Sequence, residues 1–280
     1  MTTERFVETN GLRYHVVEWP AEGPFVLLAH GFLDLAWSWR GVAERLQAQG
    51  YHCVAWDWRG HGESDHVGQG GYYHFPDYVL DLEYLIPQIT GDRSVHLVGH
   101  SMGGTISTMY AGLRSDRLAS LTLVEGLGPP NWGFEKTPEK FRAWLDSVEK
   151  IRTRPKRSLT LESALRRMRI QNPELPEELG EFLAEKATVE IDGRRRWRFD
   201  PLHRTTAPMP FRTEVFNTFL HRIEVPTLVI AAERGFRLPD ERERYQQIPD
   251  HRFVEIADVG HMIHWMRPDA LADAIVSLVR

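Results

Sequence analysis

The chain has 280 residues, 42% of them hydrophobic and 26% charged, with 34 Lys+Arg against 39 Asp+Glu for a formal net charge of −5. That balance excludes a disordered or collagen-like chain and gives no general attraction to nucleic acid or an anionic membrane. The length admits one enlarged α/β domain or two small ones. The start, Met1-Thr2-Thr3-Glu4-Arg5, has no apolar signal stretch, and no run approaches the roughly 18 apolar residues of a membrane span, so a cytoplasmic protein is expected. Cys53 is the single cysteine, which excludes an internal disulfide and a cysteine-rich zinc site; it falls in an apolar strand pattern and is expected to be an inert buried thiol.

Residues 5–19 alternate about Asn10-Gly11, the signature of a β-hairpin. Phe25–Ala29 is a short apolar run that predicts a buried strand, followed by a helix over Trp39–Gln49 closed by Gly50, and by a strand over Tyr51–Trp56. A Gly- and His-rich loop spans 57–71. Val79, Leu82, Leu85 and Ile86 form one face of a helix that Pro87 is expected to end or kink. Strand Val95–Gly99, helix Met102–Leu113 and strand Leu118–Glu125 complete an alternation typical of parallel βαβ units.

From Gly128 to Arg222 the alternation stops. Helical patterns lie near 138–151, 159–171 and 176–187, and Ile191-Asp192-Gly193 resembles a hairpin turn. Strand Pro226–Ala232, helix Asp240–Gln247, strand Arg252–Ile256 and a helix opened by Pro268 then restore the α/β order. The expected organisation is a core over 1–127 and 223–280, interrupted by a mainly helical cap over 128–222.

Gly99-His100-Ser101-Met102-Gly103 lies between a short apolar strand and a helix. In a G-x-S-x-G turn of this kind the serine hydroxyl is presented at the strand's end, and the amide of the next residue, Met102, points toward developing negative charge. Ser101 is therefore the candidate nucleophile. His100 adjoins it but is expected to point away along the strand alternation.

With these residues the chain resembles the α/β-hydrolase family, which implies a mostly parallel central sheet flanked by helices. His30-Gly31-Phe32 is similar to the family's oxyanion loop, so the resemblance implies the Phe32 amide as a second oxyanion donor. Asp57-Trp58-Arg59-Gly60-His61-Gly62-Glu63-Ser64-Asp65 matches the family's D-x-R-G-x-G-x-S loop, which makes Asp57 and Arg59 architectural. Asp258-Val259-Gly260-His261 matches the place of the family's general base, His261. Most relatives carry the triad acid in a G-x-x-D sequence after the next-to-last strand, but here Gly235 falls at the aspartate's place. A sub-group that includes the haloalkane dehalogenases carries the acid after the strand that follows the nucleophile helix, where this chain has Glu125. Asp240 and Glu233 remain alternative acids. The N-terminal half also looks like the serine hydrolase-like proteins.

A serine nucleophile implies acyl transfer, whereas the dehalogenases and epoxide hydrolases of the family use an aspartate. The expected function is a serine esterase with a Ser101-His261-Glu125 triad acting on a small to medium lipophilic ester, lactone or thioester, with no cofactor and no metal. A cofactor-independent oxygenase of the same fold and a non-catalytic small-ligand receptor are the alternatives. The expected partner is a small-molecule substrate, with neither nucleic acid nor membrane; the oligomeric state is left open.

Of nine tryptophans, Trp37, Trp39, Trp132, Trp144 and Trp265 fall near the predicted cleft and are expected to line a substrate pocket or to pack the cap onto the core. His264 is a further candidate for that pocket. Trp56 and Trp58 are expected to be structural. Residues 131–172 hold eleven Lys/Arg against five acidic residues, and Arg194-Arg195-Arg196-Trp197-Arg198 adds four more cations. A solvated helix face or the steering of a substrate would account for them.

Overall fold

Asn10 and Gly11 both take positive φ, 51° and 72°, the geometry that matches a two-residue turn to the right-handed twist of its strands. They join β1 (Thr3–Thr9) to β2 (Leu12–Trp19). The computed structural model describes residues 1–153 and 158–279. Arg154, Lys156 and Arg157 of the basic stretch lie outside the described residues.

The remaining strands are β3 (Phe25–Ala29), β4 (His52–Trp56), β5 (Val95–His100), β6 (Leu118–Val124), β7 (Thr188–Ile191), β8 (Arg194–Trp197), β9 (Thr227–Arg234) and β10 (His251–Gly260). Eight of them form one sheet in the order β1-β2-β4-β3-β5-β6-β9-β10. β1, β2 and β4 pair antiparallel, and every pair from β4 to β10 is parallel.

The central strands are buried on both faces, which explains their unbroken apolar runs. In β3, Phe25, Leu27 and Ala29 face one hydrophobic cluster while Val26 and Leu28 face the other. Helices Phe75–Thr90 and Met102–Arg114 cover the first face, and helices Arg40–Ala48 and Pro268–Val279 cover the second. Trp19, Trp39, Trp56 and Trp58 are fully buried in these layers. Cys53 is buried beside them, and burial pushes its thiol pKa up.

Helix Phe75–Thr90 runs through Pro87, where the sequence pattern predicted an end or a kink. Pro87 lacks the N–H that would bond the Glu83 carbonyl, but it sits in the last turn, where the residues after it still close the helix. Gly91 N–H donates to Pro87 O at 2.8 Å and Thr90 Oγ1 donates to Ile86 O at 2.8 Å.

Between β6 and β9 lie helices Thr137–Thr153, Leu161–Gln171 and Glu177–Lys186, followed by the hairpin β7-β8, turned by Asp192 and Gly193 at φ 52° and 68°. Leu165, Leu175, Leu183 and Ala184 form a separate cluster with Leu35 and Trp265, and this cluster holds the helical layer on the sheet's C-terminal edge. Helix Thr213–Leu220, included in the expected cap, instead places Phe216 and Leu220 in the first core cluster. Among the described residues no helix is long and apolar enough to cross a membrane.

Candidate active site

β5 ends at His100, and the chain reverses at Ser101 with φ 51° and ψ −115° before entering helix Met102–Arg114. A side chain in that conformation is strained and persists only where its surroundings hold it. Ser101 N–H donates to Val124 O at 2.9 Å, while Ser101 O accepts from Thr105 N–H at 3.1 Å. The tight turn also needs bare backbone around it. A Cβ on Gly99 would strike Gly103, one on Gly103 would strike the Ala29 and His30 carbonyls, and one on Gly104 would strike Gly126. A Cβ on Gly31 would lie 2.8 Å from His100 Nδ1 and 3.2 Å from Ser101 Cβ, so the Gly31-Phe32 backbone passes beside the serine.

Glu125 follows β6 directly, at φ 52°. Its side chain is buried, but its carboxylate is well supplied with donors: Oε1 accepts from Ala232 N–H at 2.8 Å, and Oε2 accepts from Phe236 N–H at 2.8 Å. His261 Nδ1 lies 3.1 Å from the same Oε2. An ionised carboxylate accepts only, so His261 Nδ1 carries the proton of that bond and Nε2 is the nitrogen left to accept from another group. Gly235, at the position where most relatives have the acid, leaves room for this arrangement, because a Cβ there would overlap the Glu125 carboxylate.

The rest of the candidate acids are committed elsewhere. Asp240 Oδ2 pairs with buried Arg244 at 2.9 Å and accepts from Thr213 Oγ1 at 3.2 Å. Glu233 Oε2 accepts from Asp258 N–H at 2.8 Å, so it shapes the loop that carries His261.

His100 does not simply point away. Its Nε2 donates to the His261 carbonyl at 2.9 Å, and burial holds its pKa well below the ordinary histidine value. His264 is buried against Trp39, with ring centroids 4.7 Å apart, and its Nε2 lies 3.0 Å from Asp34 Oδ2, which also accepts from Ser38 Oγ at 2.9 Å. The sequence pattern did not single out Asp34. Asp34, His100 and His264 bring potential ligand atoms within 4.8 Å of one another, but the Asp34–His264 hydrogen bond already joins two of the three.

The loop beside Ser101 is held by neutral imidazoles. His61 accepts from Leu33 N–H at 3.2 Å through Nε2 and donates to Arg59 O at 3.1 Å through Nδ1, and burial pushes its pKa well down. His30 donates to Gly31 O at 2.7 Å and accepts from Trp58 N–H at 3.1 Å. Asp57 accepts from Ala36 N–H at 2.7 Å and Glu63 N–H at 2.9 Å, and Arg59 Nε donates to buried Asp81 at 2.7 Å. Asp57 and Arg59 thus act as scaffold.

Ser101, His261, Phe32 and Leu33 open into a cavity of about 1690 Å³ roofed by the helical layer and the β7-β8 hairpin. Of the expected pocket residues Trp265 lines it. The other five do not line it, although Trp37 and Trp144 pack the helical layer onto the core, the alternative expected for them. Trp37 packs on Phe182 and Trp19, with ring centroids 5.6 and 5.8 Å away. Trp39 is wholly buried in the core, and His264 is buried beneath it. Trp132 is on the surface with Lys140 Nζ 4.2 Å above its ring, and Trp144 packs on Tyr72 and Phe141. Closeness in sequence to a candidate catalytic loop does not decide which way an indole faces. Trp197 of β8 does line the cavity; its place after the Asp192-Gly193 turn was the available signal.

A serine strained at a strand-to-helix turn, opening into the same cavity as a histidine hydrogen-bonded to a buried carboxylate, fits a hydrolase. The chain belongs to the alpha/beta hydrolase fold family, whose model matches residues 24–268. It is 26% identical to a serine hydrolase-like protein of Danio rerio, over 93% of this chain and 83% of the relative. It is 29% identical to epoxide hydrolase A of Mycobacterium tuberculosis, over 99% and 97% of the two chains. Among solved structures, the thioesterase domain from the curacin biosynthetic pathway superposes with a TM-score of 0.89 at 28% identity, covering 99% of each chain.

Proposed function

We propose that this chain is a serine hydrolase that cleaves a carboxylic ester, lactone or thioester through an acyl-enzyme on Ser101. The observation that carries this reading is the buried Glu125 carboxylate, 3.1 Å from His261 Nδ1 and fixed by two backbone N–H donors.

In this mechanism His261 Nε2 takes the Ser101 proton as Oγ attacks the carbonyl carbon. Glu125 keeps the proton of the imidazole on Nδ1 and stabilises the imidazolium that forms. The tetrahedral oxyanion is held by the backbone N–H groups of Phe32 and Met102, each worth about 3–4 kcal/mol of transition-state stabilisation. His261 then protonates the leaving group, activates a water, and the acyl-enzyme is hydrolysed. The full-length likeness to an epoxide hydrolase does not extend this reading to epoxides, since those relatives attack with an aspartate and this chain has Ser101. The large cavity and the thioesterase-domain likeness favour an extended acyl group.

Turnover of 4-nitrophenyl esters and acyl thioesters tests the reading. Ser101→Ala is expected to lower kcat on the order of 10⁶-fold. Comparable turnover in the variant would overturn it.

A further inference from the structure

Five arginines line the cavity: Arg152, Arg167, Arg196, Arg198 and Arg204. Three acidic residues line it too, each with partners of its own, so the arginines outnumber the carboxylates by two. Asp34 is bound to His264 and Ser38, and Glu63 is paired with Arg198 at 3.3 Å. Asp200 accepts from Tyr73 Oη at 2.8 Å and from Leu202 N–H at 2.9 Å. Arg152 donates to Tyr72 Oη at 3.0 Å. Among the described residues, Arg167, Arg196 and Arg204 have no carboxylate partner.

Arg196 is set on a paired strand. It lies on β8, opposite Val189 of β7, and its neighbour Arg195 bridges to Leu159. Its Nε is buried without a hydrogen-bond partner, as is the Nε of Arg198. A buried donor left unpaired costs free energy, and gathering unpaired like charges around one cavity adds to that cost. An anion entering the cavity would offset the gathered charge through the terminal guanidinium nitrogens.

We infer that the cavity selects acyl compounds carrying a carboxylate or phosphate away from the scissile carbonyl, with Arg196 as the central anion contact and Arg167 and Arg204 around it. The inference rests on the hydrolase reading for its chemistry, but not for its binding. Fork-shaped guanidinium groups suit both oxyanions, and rigid placement on a paired strand limits the entropy lost on contact. The attraction weakens as salt rises.

Two matched sets of probes separate the sources. The first compares mono-4-nitrophenyl succinate, adipate and suberate with 4-nitrophenyl butyrate, hexanoate and octanoate, which places the anion on the acyl side. The second compares S-acetylpantetheine 4′-phosphate with S-acetylpantetheine, which places it on the leaving group. Binding to the Ser101→Ala variant is measured by calorimetry alongside kcat/KM in the wild type. The expected result is a preference of about 10- to 100-fold for the charged member of at least one set. In Arg196→Gln that ratio should collapse toward one through KM, while exposed Arg194→Gln keeps it. Equal binding of charged and uncharged members in both sets would overturn the proposal, and so would a preference unchanged in Arg196→Gln. If no ester or thioester is cleaved, the hydrolase reading fails, and the calorimetry still decides the anion contact.

Discussion

The carboxylate of Glu125 fills the space that a side chain on Gly235 would need. The two residues come from different strand ends, after β6 and after β9, and converge on one point beside His261. The acid lies on one strand end only if the other stays bare. On the proposed triad, this relationship requires a bare residue at 235 and gives the first prediction.

Glu125→Ala should lower kcat/KM about 10³- to 10⁴-fold, in line with loss of a triad acid elsewhere. Adding Gly235→Asp to that variant should recover roughly tenfold or more, because a carboxylate then returns to the vacated space. Gly235→Ala alone should displace Glu125, with a stability loss of about 1–3 kcal/mol from overpacking and a clear fall in kcat. Ester hydrolysis and thermal melts on the three variants check this. Full activity in Gly235→Ala would contradict it.

Asp240 and Arg244 give the opposite profile. Buried Arg244 Nη1 donates to the Leu127 and Pro129 carbonyls, both at 2.8 Å, tying the chain just beyond Glu125 to the helix Glu241–Tyr245. Arg244→Met should cost about 3–5 kcal/mol, because it leaves these acceptors and Asp240 without their cation. Asp240→Asn should lower the melting temperature while leaving kcat/KM close to that of the wild type. A crippled Asp240→Asn of normal stability would move the triad acid away from Glu125.

Acid should destabilise the fold. Burial lowers the pKa of His30, His61, His96 and His100, and takes His203 down to about 4 from an ordinary 6.5. In the unfolded chain these rings gain protons below about pH 6.5, while in the folded chain they stay neutral. Their stabilisation is therefore full above pH 6.5 and is lost as pH falls toward the folded values. His15, raised beside Asp57, works the other way, giving stability at low pH that is lost on raising it. Five histidines against one predict a melting temperature that falls from pH 7 to 4.5. His203→Gln should reduce the fall, and a melting temperature that is flat or rises toward pH 4.5 would contradict this account.

The strand and helix order was legible because fully buried strands leave uninterrupted apolar runs, as at Phe25–Ala29, and because Asn10-Gly11 and Asp192-Gly193 supply the positive φ their turns need. Glu125 stood out as a charge ending such a run. What escaped was direction rather than position. Trp37, Trp39, Trp132 and Trp144 lie near the expected places in the chain yet face away from the cavity, since an indole turns toward whichever neighbour covers it. Asp34 meets its partner His264 across 230 residues, a pairing no local pattern carries. Helix Thr213–Leu220 joined the core through Phe216 and Leu220, two apolar residues too few to reveal which layer they belong to.

The most direct measurement is the rate at which a fluorophosphonate labels the protein, with the modified residue mapped by peptide mass spectrometry, in the wild type and in Glu125→Gln. The account predicts a single adduct on Ser101, forming at least about 100-fold more slowly in the variant. Labelling elsewhere, no labelling of the wild type, or equal rates in the two proteins would contradict it.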